Sequence, residues 1–150
     1  MKDYEKKLLK FALNEKVKNK GRIFYGLVND SVYYGNAYFF GLVNNNLLNT
    51  EKFEQIHIEK LITNSLLNAD DERLVAPNFN ITKGSNKLVL ANFKISYDSD
   101  HAPIAEVSCN YNYYKLFEKD CMYIYDTKGM LCLYDERKSL IGVIAKVINR

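Results

Sequence analysis

Residues Cys121–Val147 read CMYIYDTKGMLCLYDERKSLIGVIAKV and carry the clearest structural pattern in the chain. Three short runs of aliphatic and aromatic residues are separated by two polar turns, Thr127–Gly129 and Asp135–Lys138. Apolar runs of this length, joined by turns of this composition, are typical of neighbouring antiparallel strands. The sequence therefore predicts a three-stranded meander, with strands over 121–125, 130–134 and 140–148.

The residues upstream of this meander predict further strands and two short helices. A strand over 104–109 leads into a helix over 110–118, and strands over 73–81 and 87–97 flank a Lys83–Asn86 turn. Before them come a short strand over 53–58 and a second helix over 59–68. The apolar residues of that second helix spread widely around it, so we expect it to be buried.

The N-terminal part predicts an amphipathic helix followed by strands. The helix spans about residues 3–19, and the strands follow over 22–29 and 31–43. One broad face of the helix is apolar, and its members are Tyr4, Leu8, Leu9, Phe11, Ala12 and Leu13. The opposite face carries polar residues at spacings of three and four, namely Lys7, Lys10, Asn14 and Lys18.

These elements together predict an α+β fold with helices on one face of a largely antiparallel sheet. We expect three helices, at least seven strands, and rough strand–helix–strand–strand repeats over 53–97 and 104–148. No linker rich in proline, glycine or serine divides the 150 residues. We therefore expect one α+β domain, 1–150, that includes the basic N-terminal helix 3–19.

The second repeat resembles the closing segment of bacterial β sliding clamps. In Ala105–Phe117 (AEVSCNYNYYKLF) a strand ends in an Asn-Tyr start to a short helix, and the meander follows. Gln55–Leu61 (QIHIEKL) is similar to the clamp pattern in which a strand leads into the second helix of a domain. The resemblance covers about residues 53–148. The final residues, 144–150 (IAKVINR), lack the proline of a clamp C-terminus, so no client-peptide pocket is inferred.

The resemblance implies helices that present basic side chains to double-stranded DNA and contact phosphates without reading bases. The implied DNA-binding residues are Lys7, Lys10, Lys18, Arg22 and Lys115. Residues 1–22 hold eight basic and three acidic side chains, whereas the net charge of the whole chain is only +3. This asymmetry fits a polyanion surface on the first helix, and it equally fits a solvated lysine face.

Catalytic and cofactor chemistry finds little support in the sequence. His57 lies between two isoleucines, which favours a structural role over that of a general base, and residues 98–101 (DSDH) are typical of a solvated turn. No phosphate-loop, nucleophile-elbow or zinc-helix motif is present. We expect no enzyme activity, no catalytic residues, no cofactor and no bound metal.

Cysteine usage and hydropathy favour the cytoplasm of the producing or infected cell. Cys109, Cys121 and Cys132 are an odd set without a CxxC pair, which predicts buried, reduced thiols. No apolar run is long enough to cross a bilayer, so we expect no membrane partner. The charged N-terminus does not read as a signal region.

Two functions from different classes remain open. The first is a non-enzymatic, clamp-like DNA-binding protein, a DNA-replication or phage accessory factor that self-associates or binds a protein client. The alternative is a protein-interaction module, such as a phage-type inhibitor or regulator, with no DNA binding. The abundant tyrosines fit sheet packing best, and exposed ones would serve an interface. A small enzyme built on the loop 98–101 is a third, weaker reading.

Overall fold

A computed structural model of the chain describes residues 2–17, 23–28, 31–43, 53–60, 74–84, 87–95, 105–127 and 129–147. These residues form two helices, α1 (Asp3–Val17) and α2 (Tyr111–Phe117). They also form ten strands, which are β1 (Phe24–Val28), β2 (Ser31–Gly35), β3 (Phe39–Val43), β4 (Glu54–Gln55), β5 (Phe79–Lys83), β6 (Val89–Ile95), β7 (Ala105–Asn110), β8 (Tyr123–Asp126), β9 (Met130–Tyr134) and β10 (Leu140–Val147). Among the described helices none is both long and apolar enough to cross a membrane.

The fold is α+β, as the sequence predicts, and its strands join in one large sheet. Eight strands follow the order β4-β1-β2-β3-β10-β7-β6-β5, while β9 pairs with β10 and β8 pairs with β9. Every strand pair is antiparallel except β1 with β4. The described part thus exceeds the expected seven strands and confirms a largely antiparallel sheet.

A helix followed by a three-stranded antiparallel meander occurs twice in the sheet. The first copy is α1 with β1, β2 and β3, and the second is α2 with β8, β9 and β10. The last strands of the two meanders pair with each other through Gly41 and Gly142. Of the intervening strands, β4 lies beside β1, while β7 pairs with β10 and is followed in the order by β6 and β5.

Both helices cover the same face of the sheet. Tyr4, Leu8 and Ala12 of α1 are buried, and so are Tyr114, Leu116 and Phe117 of α2. Except for Ala12, these side chains join the larger hydrophobic core, in which the rings of Tyr4 and Phe117 stack with centroids 5.6 Å apart. Burial of this apolar area is the main force that holds the helices on the sheet.

The N-terminus of α1 is tied to residues that follow α2 and β9. The backbone N–H of Tyr4 donates to Asp120 Oδ2 at 2.8 Å, and the Lys2 ammonium donates to Asp135 Oδ2. A carboxylate that accepts the free N–H groups of a first helical turn stabilises that turn. These contacts fix α1 relative to α2, which precedes Asp120 directly.

The opposite face of the sheet carries a second hydrophobic core, because successive strand residues point to opposite faces. It contains Tyr33, Phe40, Cys132 and Val143, and Ile58 packs among them. Glu59 and Lys60 are helical, which agrees with the predicted start of the helix over 59–68. The rest of that helix lies outside the described residues.

Several predictions differ from the structure in detail. The single strand expected over 31–43 is two antiparallel strands, β2 and β3, and the strand expected over 53–58 is only β4. Leu13 was expected on the apolar face of α1 but is 51% exposed, because the buried stripe follows Tyr4, Leu8 and Ala12 at intervals of four. The strand expected over 73–81 begins only at Phe79. Pro77 has no N–H to give to a strand ladder, and Val75 before it bridges to Ile124 of β8 instead.

Candidate nucleic-acid interface

The polar stripe of α1 faces outward beside α2. Lys7, Lys10 and Asn14 occur at spacings of three and four, and all three line one groove. The burial of Tyr4, Leu8 and Ala12 turns this stripe away from the sheet. Lys7, Lys10 and Asn14 thus share one side of α1, as predicted, but Phe11, which was expected on the opposite apolar face, lines the same groove.

The matching stripe comes from α2. Asn110 caps this helix, because its side chain accepts a hydrogen bond from the backbone N–H of Asn112 at 2.9 Å. Tyr114, Leu116 and Phe117 are buried, so the rotation of the helix is set by its apolar residues. Lys115 consequently points outward with Tyr111, four residues before it, into the same groove.

The two stripes enclose a groove of about 450 Å³ between α1 and α2. Its lining consists of Lys7, Lys10, Phe11, Asn14, Tyr111, Lys115, Leu116 and Glu118. Three of the five basic residues implied by the clamp resemblance thus lie around a single space. Lys18 and Arg22, the other two, lie outside the described residues.

The lysines of the groove differ in how far they are neutralised. Lys7 Nζ lies 3.0 Å from Asp3 Oδ2, an ion pair four residues apart on the same helix. The Lys7 hydrogen bond holds the pKa of Asp3 below its ordinary value, so the carboxylate stays charged. Lys10 and Lys115 are exposed and have no ion-pair partner among the described residues. They are the groove's freest positive charges within that part of the chain.

One acidic side chain lines the groove at the α2 end. The Tyr111 hydroxyl donates to Glu118 Oε2 at 3.0 Å, and this hydrogen bond raises the pKa of Tyr111. The bond engages the carboxylate and restrains the tyrosine side chain. The groove lining therefore combines three lysines with aromatic and apolar side chains and the carboxylate of Glu118.

The apolar members of the groove are the residues that sequence reasoning missed. Phe11 and Leu116 belong to the hydrophobic core and also contribute to the groove lining. The spacing of Tyr111, Lys115 and Glu118, at i, i+4 and i+7, was a readable signal for one face of α2. Nothing in the sequence indicated that this face would lie against Lys7 and Lys10.

Other sequence candidates form no site in the described part of the chain. His57 is exposed beside the buried Ile58, so it is no core histidine. The loop 98–101 lies outside the described residues. Among the residues that are described, no three His, Cys, Asp or Glu side chains are placed to hold a metal ion.

The tyrosines serve mainly in packing. Of the eleven tyrosines among the described residues, six are buried, namely Tyr4, Tyr33, Tyr34, Tyr114, Tyr125 and Tyr134. Tyr38 is the exception, with 63% of its surface exposed in the turn between β2 and β3. Its backbone N–H donates to Asn36 Oδ1 at 3.0 Å, and Ala37 between them has a φ of 82°. This turn holds an aromatic side chain out in solvent.

Comparison with known proteins adds no identification. The chain matches no protein-family model, no curated protein and no solved structure. Its function must therefore be inferred from the geometry of the groove and the surfaces around it.

Proposed function

We propose that this protein is a non-enzymatic DNA-binding protein that holds the sugar-phosphate backbone of a duplex along the α1–α2 groove. The observation that carries this proposal is the convergence of Lys7, Lys10 and Lys115, from two distant parts of the sequence, on one groove. Lysine ammonium groups bind phosphates as point charges and read no bases. Binding is therefore independent of sequence and sensitive to salt.

The role that fits this activity is a clamp-like accessory factor in DNA replication, encoded by a cell or a phage. Two helices side by side on one face of a sheet, with lysines between them, are the arrangement that the clamp resemblance implies. A chain of this size encloses a duplex only by self-association. Its three buried cysteines, which form no disulfide, suit the reducing cytoplasm of the producing or infected cell.

Retention of a fluorescently labelled duplex at low salt tests the proposal. The triple variant Lys7→Glu, Lys10→Glu, Lys115→Glu should fold normally and lose the duplex, and the wild type should show no preference among duplex sequences. The matched control changes Lys6, Lys60 and Lys94 to Glu, because all three are exposed and none lines the groove. The control has the same net charge, so a loss of binding in both variants would refute a site at the groove.

The molar mass in solution, with and without duplex DNA, tests the clamp-like role separately. Self-association that increases with DNA supports a ring or a related assembly. A strict monomer at high concentration that still binds DNA would leave the phosphate site standing and remove the clamp-like role.

The second candidate function is a protein-interaction module, and the exposed Tyr38 favours it. Exposed aromatic side chains are common anchors of protein interfaces. Tyr38→Ala should then abolish capture of the partner while leaving DNA retention unchanged. If the wild type binds no duplex at low salt and Tyr38 is needed for a protein complex, this second function replaces the first.

A further inference from the structure

The floor of the α1–α2 groove is apolar and aromatic, whereas its sides are basic. Phe11, Tyr111 and Leu116 contribute carbon surface, and the three lysines surround it. A duplex presents phosphates to a protein and keeps its bases stacked inside, so it would meet the lysines and leave the floor empty. The floor therefore suits a ligand that brings a flat apolar group together with negative charge.

We infer that the groove receives an unstacked nucleobase, so that the protein binds single-stranded DNA more tightly than duplex. This inference rests on the proposed function, because it assumes that the groove lysines bind nucleic-acid phosphates. The volume of about 450 Å³ lies within the range of cavities that hold small ligands. A base has an apolar face that aromatic side chains stack on, whatever its sequence.

The two aromatic side chains of the groove are held in place before any ligand arrives. Tyr111 donates a hydrogen bond to Glu118, and its ring centroid lies 6.3 Å from that of Phe79. Phe11 packs edge-to-face with Phe39 and Tyr113, at ring-centroid distances of 5.3 and 6.3 Å. Fixed rings lose little side-chain entropy when a base packs on them, which favours binding.

The groove lining combines three lysines with one carboxylate, Glu118, which accepts the Tyr111 hydrogen bond. A base can pack on the Tyr111 ring while the phosphates on either side of it meet Lys7, Lys10 and Lys115. The amide of Asn14 can both donate to and accept from a base edge. A peptide would bring an N–H and a C=O at every residue, and the described lining offers neutral partners only at Asn14 and Tyr111.

The experiment compares a labelled oligothymidylate of about 12 nucleotides, which is within the site size of single-strand binders, with a hairpin duplex of similar charge. The oligothymidylate should bind more tightly to the wild type. Tyr111→Leu should weaken its binding at least about fivefold, because a stacking partner is lost, and leave duplex binding unchanged. Tyr111→Phe keeps the ring but loses the hydrogen bond to Glu118, so it should bind more tightly than Tyr111→Leu and no more tightly than the wild type. The same comparison on α1 uses Phe11→Leu, which removes the ring, and Phe11→Tyr, which keeps it.

Thermal unfolding of each variant shows whether its fold is intact. Phe11 packs more deeply than Tyr111, so its variants are the more prone to unfold. The Tyr111 variants then still carry the test. Equal affinity for both nucleic acids, or an equal effect of Tyr111→Leu on both, would overturn the inference while the duplex proposal stands. Tyr111-dependent binding of a Glu–Tyr copolymer, without binding of oligothymidylate, would identify a peptide groove instead. Failure of both nucleic acids to bind at low salt would overturn the inference and the proposed function together.

Discussion

Gly41 of β3 lies directly opposite Gly142 of β10 in the antiparallel ladder, and the ring of Phe117 covers them both. A Cβ atom on Gly142 would lie 2.7 Å from the ring of Phe117, and one on Gly41 would lie 3.0 Å from it. The two glycines therefore form a notch in the sheet that lets α2 approach closely. The position of α2, and of Lys115 on it, depends on this notch.

Substitution of Gly142 by Ala should destabilise the fold by about 1–3 kcal/mol, because the added methyl group overpacks a filled core. The free energy of unfolding from urea denaturation measures this loss. Phe117→Leu should also destabilise by itself, since it leaves unfilled space. Combined in one chain, the two changes should cost less than the sum of the single effects, because the smaller side chain makes room for the methyl group. If the two losses of unfolding free energy simply add, the result would contradict close packing of Phe117 on Gly142.

Asp135 should contribute stability that acid removes. Burial raises its pKa, but hydrogen bonds from Lys2 and from the backbone N–H groups of Ser139 and Arg137 together hold the pKa below its ordinary value of 3.8. A group whose pKa is lower in the folded state stabilises the protein above the unfolded-state value and loses that effect as the pH falls through the folded one. Asp135→Asn should therefore cost about 1.5–3 kcal/mol at neutral pH, as loss of hydrogen bonds to a charged group does.

Urea denaturation of the wild type and Asp135→Asn between pH 7 and pH 2 measures this dependence. The difference in unfolding free energy should be constant above about pH 5 and shrink below pH 3.8. Lys2→Met serves as the control, because it removes the ammonium and leaves the two backbone hydrogen bonds in place. A difference that persists unchanged at pH 2 would rule out the carboxylate as its source.

The three cysteines should react slowly with alkylating agents until the protein unfolds. All are buried in the described structure, and burial raises the pKa of Cys109 and of Cys121 to about 12. Because the thiolate is the reactive form, the raised pKa leaves only a very small reactive fraction at pH 7 and at pH 9, so native labelling should stay far slower than labelling of the unfolded chain at both pH values. Mass spectrometry after timed iodoacetamide treatment gives the number of modified thiols. Rapid native labelling of Cys109 and Cys121 would disagree with their burial.

Asp3→Asn should strengthen duplex binding at low salt if the proposed function is correct. Asp3 is the carboxylate that pairs with Lys7 in the groove, and its removal leaves the ammonium free for a phosphate. The slope of log affinity against log salt concentration should then become steeper by the equivalent of about one released counterion. Glu106→Gln is the matched control, since Glu106 is exposed on β7 and lines no part of the groove. Equal gains in both variants would indicate a general charge effect.

The elements of the fold follow from local sequence, because each pattern lies within a few neighbouring residues. Alternation of apolar and polar residues and polar turns mark the meander, and β9 has the bounds 130–134 that the sequence predicts. The α1 stripe of Lys7, Lys10 and Asn14 depends only on helical periodicity. Pro77 could also be read from the sequence as a residue that interrupts a strand. Its missing N–H explains why β5 begins at Phe79.

By itself, the sequence determined the α+β class, the positions of most described strands and the outward face of α1. Only the tertiary structure decided that Lys115 would face Lys7 and Lys10, that Gly41 would pair with Gly142, and that β4 would lie parallel to β1. The physical reason is that periodicity and turn chemistry act between neighbours in the chain. Pairing between distant segments is selected by how their buried surfaces fit, which no local pattern records.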